Sequence, residues 1–366
     1  MTKRSSRGLA GYLVPAARDL PSNASYLAHL AVSDGDDTLV RLASNENTEP
    51  PSPRVRAALE RAYLDANLSP PPVPPLRRAL AGRYGVEPDQ VLVTAGSTEV
   101  IDATLRTFVR AGDEVVIPRP SWPVCHRRLQ ALEARIVEVP LDSDDESWRY
   151  DADRMLAAIT PATKLVVVCT PNNPTGNAMS LDGVRRIADT GIPFLVDAAY
   201  ADFDLNIDLT GLAHEYDNVV LTRTFSKAYS LAGLRIGYAV GNAETLDYVD
   251  RFLVPGSSVS SASLRAGLAA LEDDAYHDHQ VDRIVGERER LLPALRALGL
   301  RTWASKCNFV SVDASGFDGG AEGLAGAILT HGVVVRPLHD LVRISIGRGE
   351  ENDALLAAVA AVVGRG

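Results

Sequence analysis

Between residues 90 and 241, short β-branched runs alternate with amphipathic stretches. The runs are Val91-Leu92-Val93, Glu114 to Ile117, Arg135 to Val139, Leu165 to Cys169, Pro193 to Asp197 and Val219 to Leu221. Apolar runs of strand length, separated by helices, predict a mostly parallel central sheet covered on both faces, an α/β fold. Upstream, Ser52 and Pro53 form a helix start with proline at the first helical position, and Val55, Leu59 and Ala62 give one apolar face, so a helix is expected to about Leu64. Ser69 to Pro75 contains five prolines. They fix φ and remove donors, which predicts a rigid connector that neither helix nor central strand crosses. After Pro255, Leu264 to Leu271 and Val281 to Leu298 carry helical spacing, whereas Phe309 to Val312, Val333 to Val335 and Leu341 to Ile346 read as strands. The expected organisation is an N-terminal arm over 1–45 without a fold of its own, a large domain over 46–250 and a smaller α+β domain over 251–366.

Composition narrows the chemistry. Hydrophobic residues make up 46% and charged residues 23%, with no apolar run of roughly 18 residues, so a globular protein without a membrane span is expected. A formal charge of -10 argues against nucleic acid or an anionic membrane as partner and points to small molecules. Cys125, Cys169 and Cys307 fit neither a disulfide framework nor a metal-ligand spacing, and Met1 to Leu20 lacks an apolar signal-peptide core, so the expected location is the cytoplasm. The only lysines are Lys3, Lys164, Lys227 and Lys306, which leaves few candidates for amine chemistry. His277 and His279 lie two apart on what composition suggests is a solvated helix face, and with His126 and His339 they are read as structural; no metal is proposed.

Four motifs carry the chemistry. Lys227 sits among hydroxyls in Thr222-Arg-Thr-Phe-Ser-Lys227, just after a buried strand, with Arg235 eight residues on. Burial there would lower its pKa and ready the amine to attack a carbonyl. Cys169-Thr-Pro-Asn-Asn-Pro-Thr-Gly176 follows another strand, where open α/β sheets bind ligands, and Asn173 can donate to a phenolic oxygen. Phe194-Leu-Val-Asp-Ala-Ala-Tyr200 ends a strand in Asp197, a carboxylate that could keep a pyridine nitrogen protonated or simply cap a helix. Val93-Thr-Ala-Gly96-Ser-Thr-Glu99 passes from strand to helix, and the free amides there make an anion site, to which Thr224, Ser226 and Arg235 could add donors. Trp122, in Pro120-Ser-Trp-Pro123, could stack on a flat ring.

In this order the motifs resemble the class I/II aminotransferases of fold type I, which use pyridoxal 5′-phosphate (PLP), and within them the histidinol-phosphate aminotransferase branch. The likeness runs from Leu42-Ala-Ser-Asn-Glu-Asn47 to Glu350-Glu-Asn-Asp353. It implies that Lys227 bonds the cofactor and then moves the proton, that Asp197 pairs with the pyridine nitrogen, and that Tyr200 and Asn173 bond the phenolic oxygen. It places Trp122 on the ring and Gly96, Ser97, Thr98, Thr224, Ser226 and Arg235 at the phosphate. Arg343 matches the carboxylate clamp, Arg336 a contact to the distal group of the substrate, and Asn47 a further substrate position. The resemblance also implies a homodimer. Three departures stand out. Ala198 replaces an acidic neighbour, Thr48 follows Asn47 where the family has proline, and Ser69-Pro70 stands where a tyrosine normally reaches the partner's cofactor phosphate. Transfer of an amino group between an L-amino acid, or a histidinol-phosphate-like amine, and a 2-oxo acid fits every motif. A decarboxylation, elimination or cyclisation on the same cofactor is the alternative, and a noncatalytic cofactor-binding module is the third reading.

Overall fold

The computed structural model describes residues 14, 16, 20, 38–65, 67–70, 74–255 and 258–364. Most of the expected arm therefore lies outside the described residues. Its last part does not: β1 (Val40–Arg41) pairs in parallel with Val333 and Val334, and Leu42 is fully buried. This segment belongs to the C-terminal core.

The remaining strands are β2 (Val91–Thr94), β3 (Glu114–Arg119), β4 (Arg135–Pro140), the hairpin β5 (Asp142–Ser143) and β6 (Trp148–Arg149), β7 (Thr163–Cys169), β8 (Phe194–Asp197), β9 (Val219–Thr224), β10 (Gly237–Gly241), β11 (Phe309–Asp313), β12 (Val333–Val334), β13 (Arg336–Leu338) and β14 (Leu341–Ser345). Seven of them form one sheet in the order β2-β10-β9-β8-β7-β3-β4. β4, β3, β7, β8 and β9 run parallel, whereas β10 is antiparallel to both neighbours. Side chains alternate between the two faces. Val116, Val166, Val168, Phe194 and Val196 enter one core with the helices Pro53–Ala62, Pro75–Tyr84 and Ser261–Leu271, while Val115, Ile117, Leu165, Val167 and Leu195 enter another with the helices Ser97–Phe108 and Pro123–Ala131. The first core thus extends past the expected boundary at residue 250, since Leu264, Ala266 and Ala270 pack into it.

The helix at 53 starts as the sequence predicts, with the Ser52 hydroxyl accepting from the Val55 amide. The proline run ends in a helix that the pattern did not suggest, Pro75–Tyr84, with proline at its first position, where the missing N–H costs nothing.

A separate core contains the antiparallel sheet β11-β14-β13 and the helices Asp274–Ala297, Gly320–Leu329 and Gly349–Val363. The β5–β6 hairpin clasps this unit: Trp148 lies 5.4 Å from Trp303, whose indole N–H donates to the Asp144 carbonyl at 2.9 Å.

Candidate active site

Strands β7, β8 and β9 end side by side, with Cys169 opposite Asp197 and Asp197 opposite Thr222 in register. Beyond these carboxyl ends lies a cavity of about 370 Å³, within the roughly 300–1,000 Å³ usual for small-molecule sites. Ser97, Thr98, Trp122, Asn173, Asp197, Tyr200, Thr224, Ser226, Lys227, Arg235, Arg336 and Arg343 all line it. Two of these, Arg336 and Arg343, come from the C-terminal unit and stand opposite each other across β13 and β14.

Burial controls the two central ionisable groups. Lys227 is lowered from 10.5 to about 8, first by desolvation and then by the Arg343 and Arg235 cations, with Glu46 opposing. Its amine donates to the carbonyls of Asn45 at 2.9 Å and Ser44 at 3.4 Å. Asp197 is raised from 3.8 to about 6 by burial, against the Ala199 amide that donates to it at 3.2 Å. A carboxylate held this high favours a cationic partner that would restore its charge. The Tyr200 hydroxyl accepts from Asn45 at 3.0 Å and Asn173 at 3.2 Å, and burial pushes its pKa up. Asn173 accepts in turn from Arg343 at 2.8 Å, whose other arm donates to the Ala43 carbonyl at 2.8 Å. Cis peptide bonds precede Pro171 and Pro174, on either side of Asn172 and Asn173.

At the other end, the helix Ser97–Phe108 points its first turn at the cavity, with Gly96 before it at φ 87°. A Cβ on Gly96 would come within 2.8 Å of the Arg235 guanidinium, so glycine both permits the turn and leaves Arg235 its place. Helix amides, hydroxyls from Ser97, Thr98 and Ser226, and one guanidinium make a fitting phosphate cradle. Together with a free amine, a buried carboxylate and a bonded phenol, these residues fit PLP.

Two sequence expectations land elsewhere. Asn47 does not line the cavity: its amide meets Gln280 at 3.2 Å and its carbonyl oxygen accepts from Arg283 at 2.7 Å. The residue that does is Asn45, at φ 53°, 1% exposed, with its own amide donating to Ser345 Oγ at 2.8 Å. Both asparagines stand in one polar run and share the tolerance for left-handed backbone, so no sequence signal separates them; only the fold does, by placing Asn45 at φ 53°. His277 is the second: its side chain is 14% exposed, on an inward face of its helix rather than a solvated one.

A model describing the class I and II aminotransferases matches residues 37–359. Histidinol-phosphate aminotransferase 2 of Caulobacter vibrioides is 36% identical, over 92% of this chain and 90% of its own length. An aromatic amino acid aminotransferase of Cutibacterium acnes is 35% identical, over 89% and 93%. The crystal structure of histidinol-phosphate aminotransferase from Sinorhizobium meliloti in complex with PLP superposes with a TM-score of 0.88 at 27% identity, covering 98% of this chain and all of that one (100%). The chain belongs to the class I and II aminotransferases. It is a PLP-dependent enzyme of fold type I that moves amino groups between amino and 2-oxo acids.

Proposed function

We propose that the amino donor is an amine carrying a flat ring and an anionic group, the chemistry shared by the names of the histidinol-phosphate and aromatic amino acid relatives. One observation carries this reading: the Lys227 amine and the paired guanidiniums of Arg336 and Arg343 face one cavity from two different cores. Arg343 receives the anionic group next to the reacting carbon, and its planar fork suits a carboxylate or phosphate. Arg336 extends the cationic wall, and Trp122 offers an aromatic face.

When bound, PLP supplies a protonated ring that withdraws electrons from the donor's Cα–H bond. Asp197 holds the ring nitrogen in its protonated form. Tyr200 and Asn173 hold the phenolic oxygen, and the helix at Ser97 with Arg235 anchors the phosphate. Lys227 would serve as the base that takes the proton from the donor's Cα and gives it back, a role that its pKa, lowered to about 8, favours.

The enzyme works as a homodimer in the cytoplasm. Support for the first comes from Tyr63, Leu64 and Leu68, which are 76%, 66% and 60% exposed beside the proline run. No helix among the described residues is long and apolar enough to cross a membrane. Light scattering that finds only monomer would refute the dimer.

The donor is tested in a half-reaction. The holoenzyme meets single L-amino acids or histidinol phosphate without a 2-oxo acid, and the visible absorption of the bound cofactor is followed. Loss of that absorption with one donor, and its return with 2-oxoglutarate, identifies the donor; release of carbon dioxide with the absorption unchanged sinks the reading. Lys227→Ala is expected to lower turnover by at least the roughly 10²–10⁴-fold associated with a general base.

A further inference from the structure

Outside the cavity lining, the titratable groups of Asp202, Arg223 and His277 meet in the interior. Asp202 Oδ1 accepts from Arg223 at 2.6 Å and faces His277 Nε2 at 3.3 Å, with the three side chains only 8%, 13% and 14% exposed. Each is linked to a residue of the site through the chain or a packing contact. Asp202 sits two residues after Tyr200 in the 3₁₀ turn Ala201–Phe203. Arg223 precedes Thr224 at the end of β9. The His277 ring packs on Tyr229, with centroids 4.5 Å apart, and Tyr229 lies in the segment that Lys227 begins, where the Ser230 amide donates to the Lys227 carbonyl at 3.2 Å. Arg223 also reaches the Tyr84 hydroxyl at 3.4 Å, and His277 Nδ1 faces Asp278 at 3.1 Å.

Such a cluster is a poor way to gain stability. Burying charges costs several kcal/mol per ion, and apolar replacements of similar volume are often neutral or better. Here Asp202 Oδ2 and Arg223 Nε also have no hydrogen-bond partner among the described residues, which adds to the cost. Asp202 is ionised nonetheless: burial opposes its charge, but Arg223 and His277 outweigh it and hold the carboxyl at about 2. Burial likewise opposes charge on His277, and the bonds to Asp202 and Asp278 raise its pKa in spite of it. What a directional buried network does supply is fixed geometry.

We propose that His277, acting through Asp202 and Arg223, is a positioning residue that holds the Lys227 segment and the Tyr200 turn in register, and so sets the rate of proton transfer rather than the affinity for the donor. The inference rests on the reading of Lys227 as the residue that bonds PLP and carries the proton. No group of the cluster lines the cavity, so none of them touches the donor that Arg343 and Arg336 receive.

The test uses His277→Phe, which keeps a ring against Tyr229 but cannot bond Asp202, and His277→Gln, whose amide can. Holoenzyme with His277→Phe is expected to lose kcat between roughly tenfold and a hundredfold, the cost of a small misplacement of a reacting group, with KM for the donor unchanged. The same protein stripped of PLP is expected to recapture the cofactor more slowly. His277→Gln is expected to restore both. Wild-type kcat and recapture in His277→Phe overturn the proposal, as does a loss confined to KM, or an equal loss in the two variants. Should His277→Phe fail to fold, His277→Asn, too short to reach Asp202, replaces it with the same outcomes. Lys227→Ala is measured alongside. Inactivity there with no effect at His277 rejects only the network, whereas activity retained without Lys227 rejects the reading beneath it.

Discussion

Gly237 passes so close to Ser97 that a Cβ added to it would lie 2.2 Å from the Ser97 amide nitrogen and 2.3 Å from the Gly96 carbonyl carbon. The antiparallel strand β10 thus runs directly beneath the helix start that forms the phosphate cradle. Gly237→Ala must push the two apart, and the clash is with backbone, which cannot swing away. Overpacking of this kind costs about 1–3 kcal/mol, so PLP affinity is expected to fall by about tenfold or more in a spectroscopic titration. Unchanged affinity would show that the cradle is softer than the packing implies.

Asn45 offers a cleaner cut. Asn45→Gly keeps the left-handed backbone and with it the carbonyl that holds Lys227, but removes the amide that donates to Tyr200. Loss of one buried hydrogen bond, about 1 kcal/mol, predicts about a fivefold drop in kcat/KM, whereas Asn45→Ala, strained at φ 53°, is expected to be worse in both kinetics and melting temperature.

Asp197 destabilises the protein it serves. With its pKa raised from 3.8 to about 6, the folded cofactor-free protein binds more protons than the unfolded chain between those values, so stability falls as pH rises through that window. Above about pH 6 the penalty is complete, at about 3 kcal/mol. Cofactor-free Asp197→Asn is therefore expected to melt above wild type at neutral pH and level with it at about pH 4, while binding PLP more weakly. Calorimetry at the two pH values checks it.

Lys227 titrates in the same cavity with a different consequence. Between about 8 and 10.5 the unfolded chain binds a proton that the folded one has lost, so its burial penalty is present below pH 8 and fades as pH rises towards 10.5. Only the neutral amine attacks an aldehyde, so the rate of PLP capture by the stripped enzyme is expected to climb as pH rises to about 8 and then level off. A rise that continues to pH 10 would mean that the amine is more solvated than its surroundings suggest.

Arg343 has a partner on each arm, Asn173 and the Ala43 carbonyl, that a lysine cannot satisfy together. Arg343→Lys is expected to raise KM for the donor by roughly tenfold to a hundredfold, the cost of a lost charged hydrogen bond, with a smaller effect on kcat.

Much of this was legible in the sequence because strand runs and site motifs coincide. Four of the five parallel strands, β3, β7, β8 and β9, were apparent as buried apolar runs, whereas the edge strand β4 is largely exposed, and residues at or just beyond the carboxyl ends of β7, β8 and β9 line the cavity. β10 was not legible: Gly-Tyr-Ala-Val-Gly is short, is framed by glycines and directly follows the Lys227 motif, so nothing marks it as a strand until β2 and β9 are seen to need a neighbour between them. The helix Pro75–Tyr84 was masked by the prolines that open it. Asn45 and Asn47 look alike in one dimension, and their roles diverge only because Gln280 and Arg283 arrive from a distant helix to claim the second. His277 carries charged neighbours on its own helix, so local composition pointed outward while Asp202 and Tyr229, from elsewhere in the chain, turned it in.

The bond from the Asn45 amide to Ser345 Oγ spans 300 positions of the chain. During synthesis the ribosome releases Asn45, Asp197 and Lys227 long before Ser345, and Arg343 leaves only just ahead of it. Contacts so far apart form late, since the intervening loop must be closed first. A nascent chain therefore holds a reactive lysine without the anchor that aims it or the arginine that selects its substrate. Aminotransfer can begin only when the last strand of the C-terminal sheet has joined the segment that follows β1.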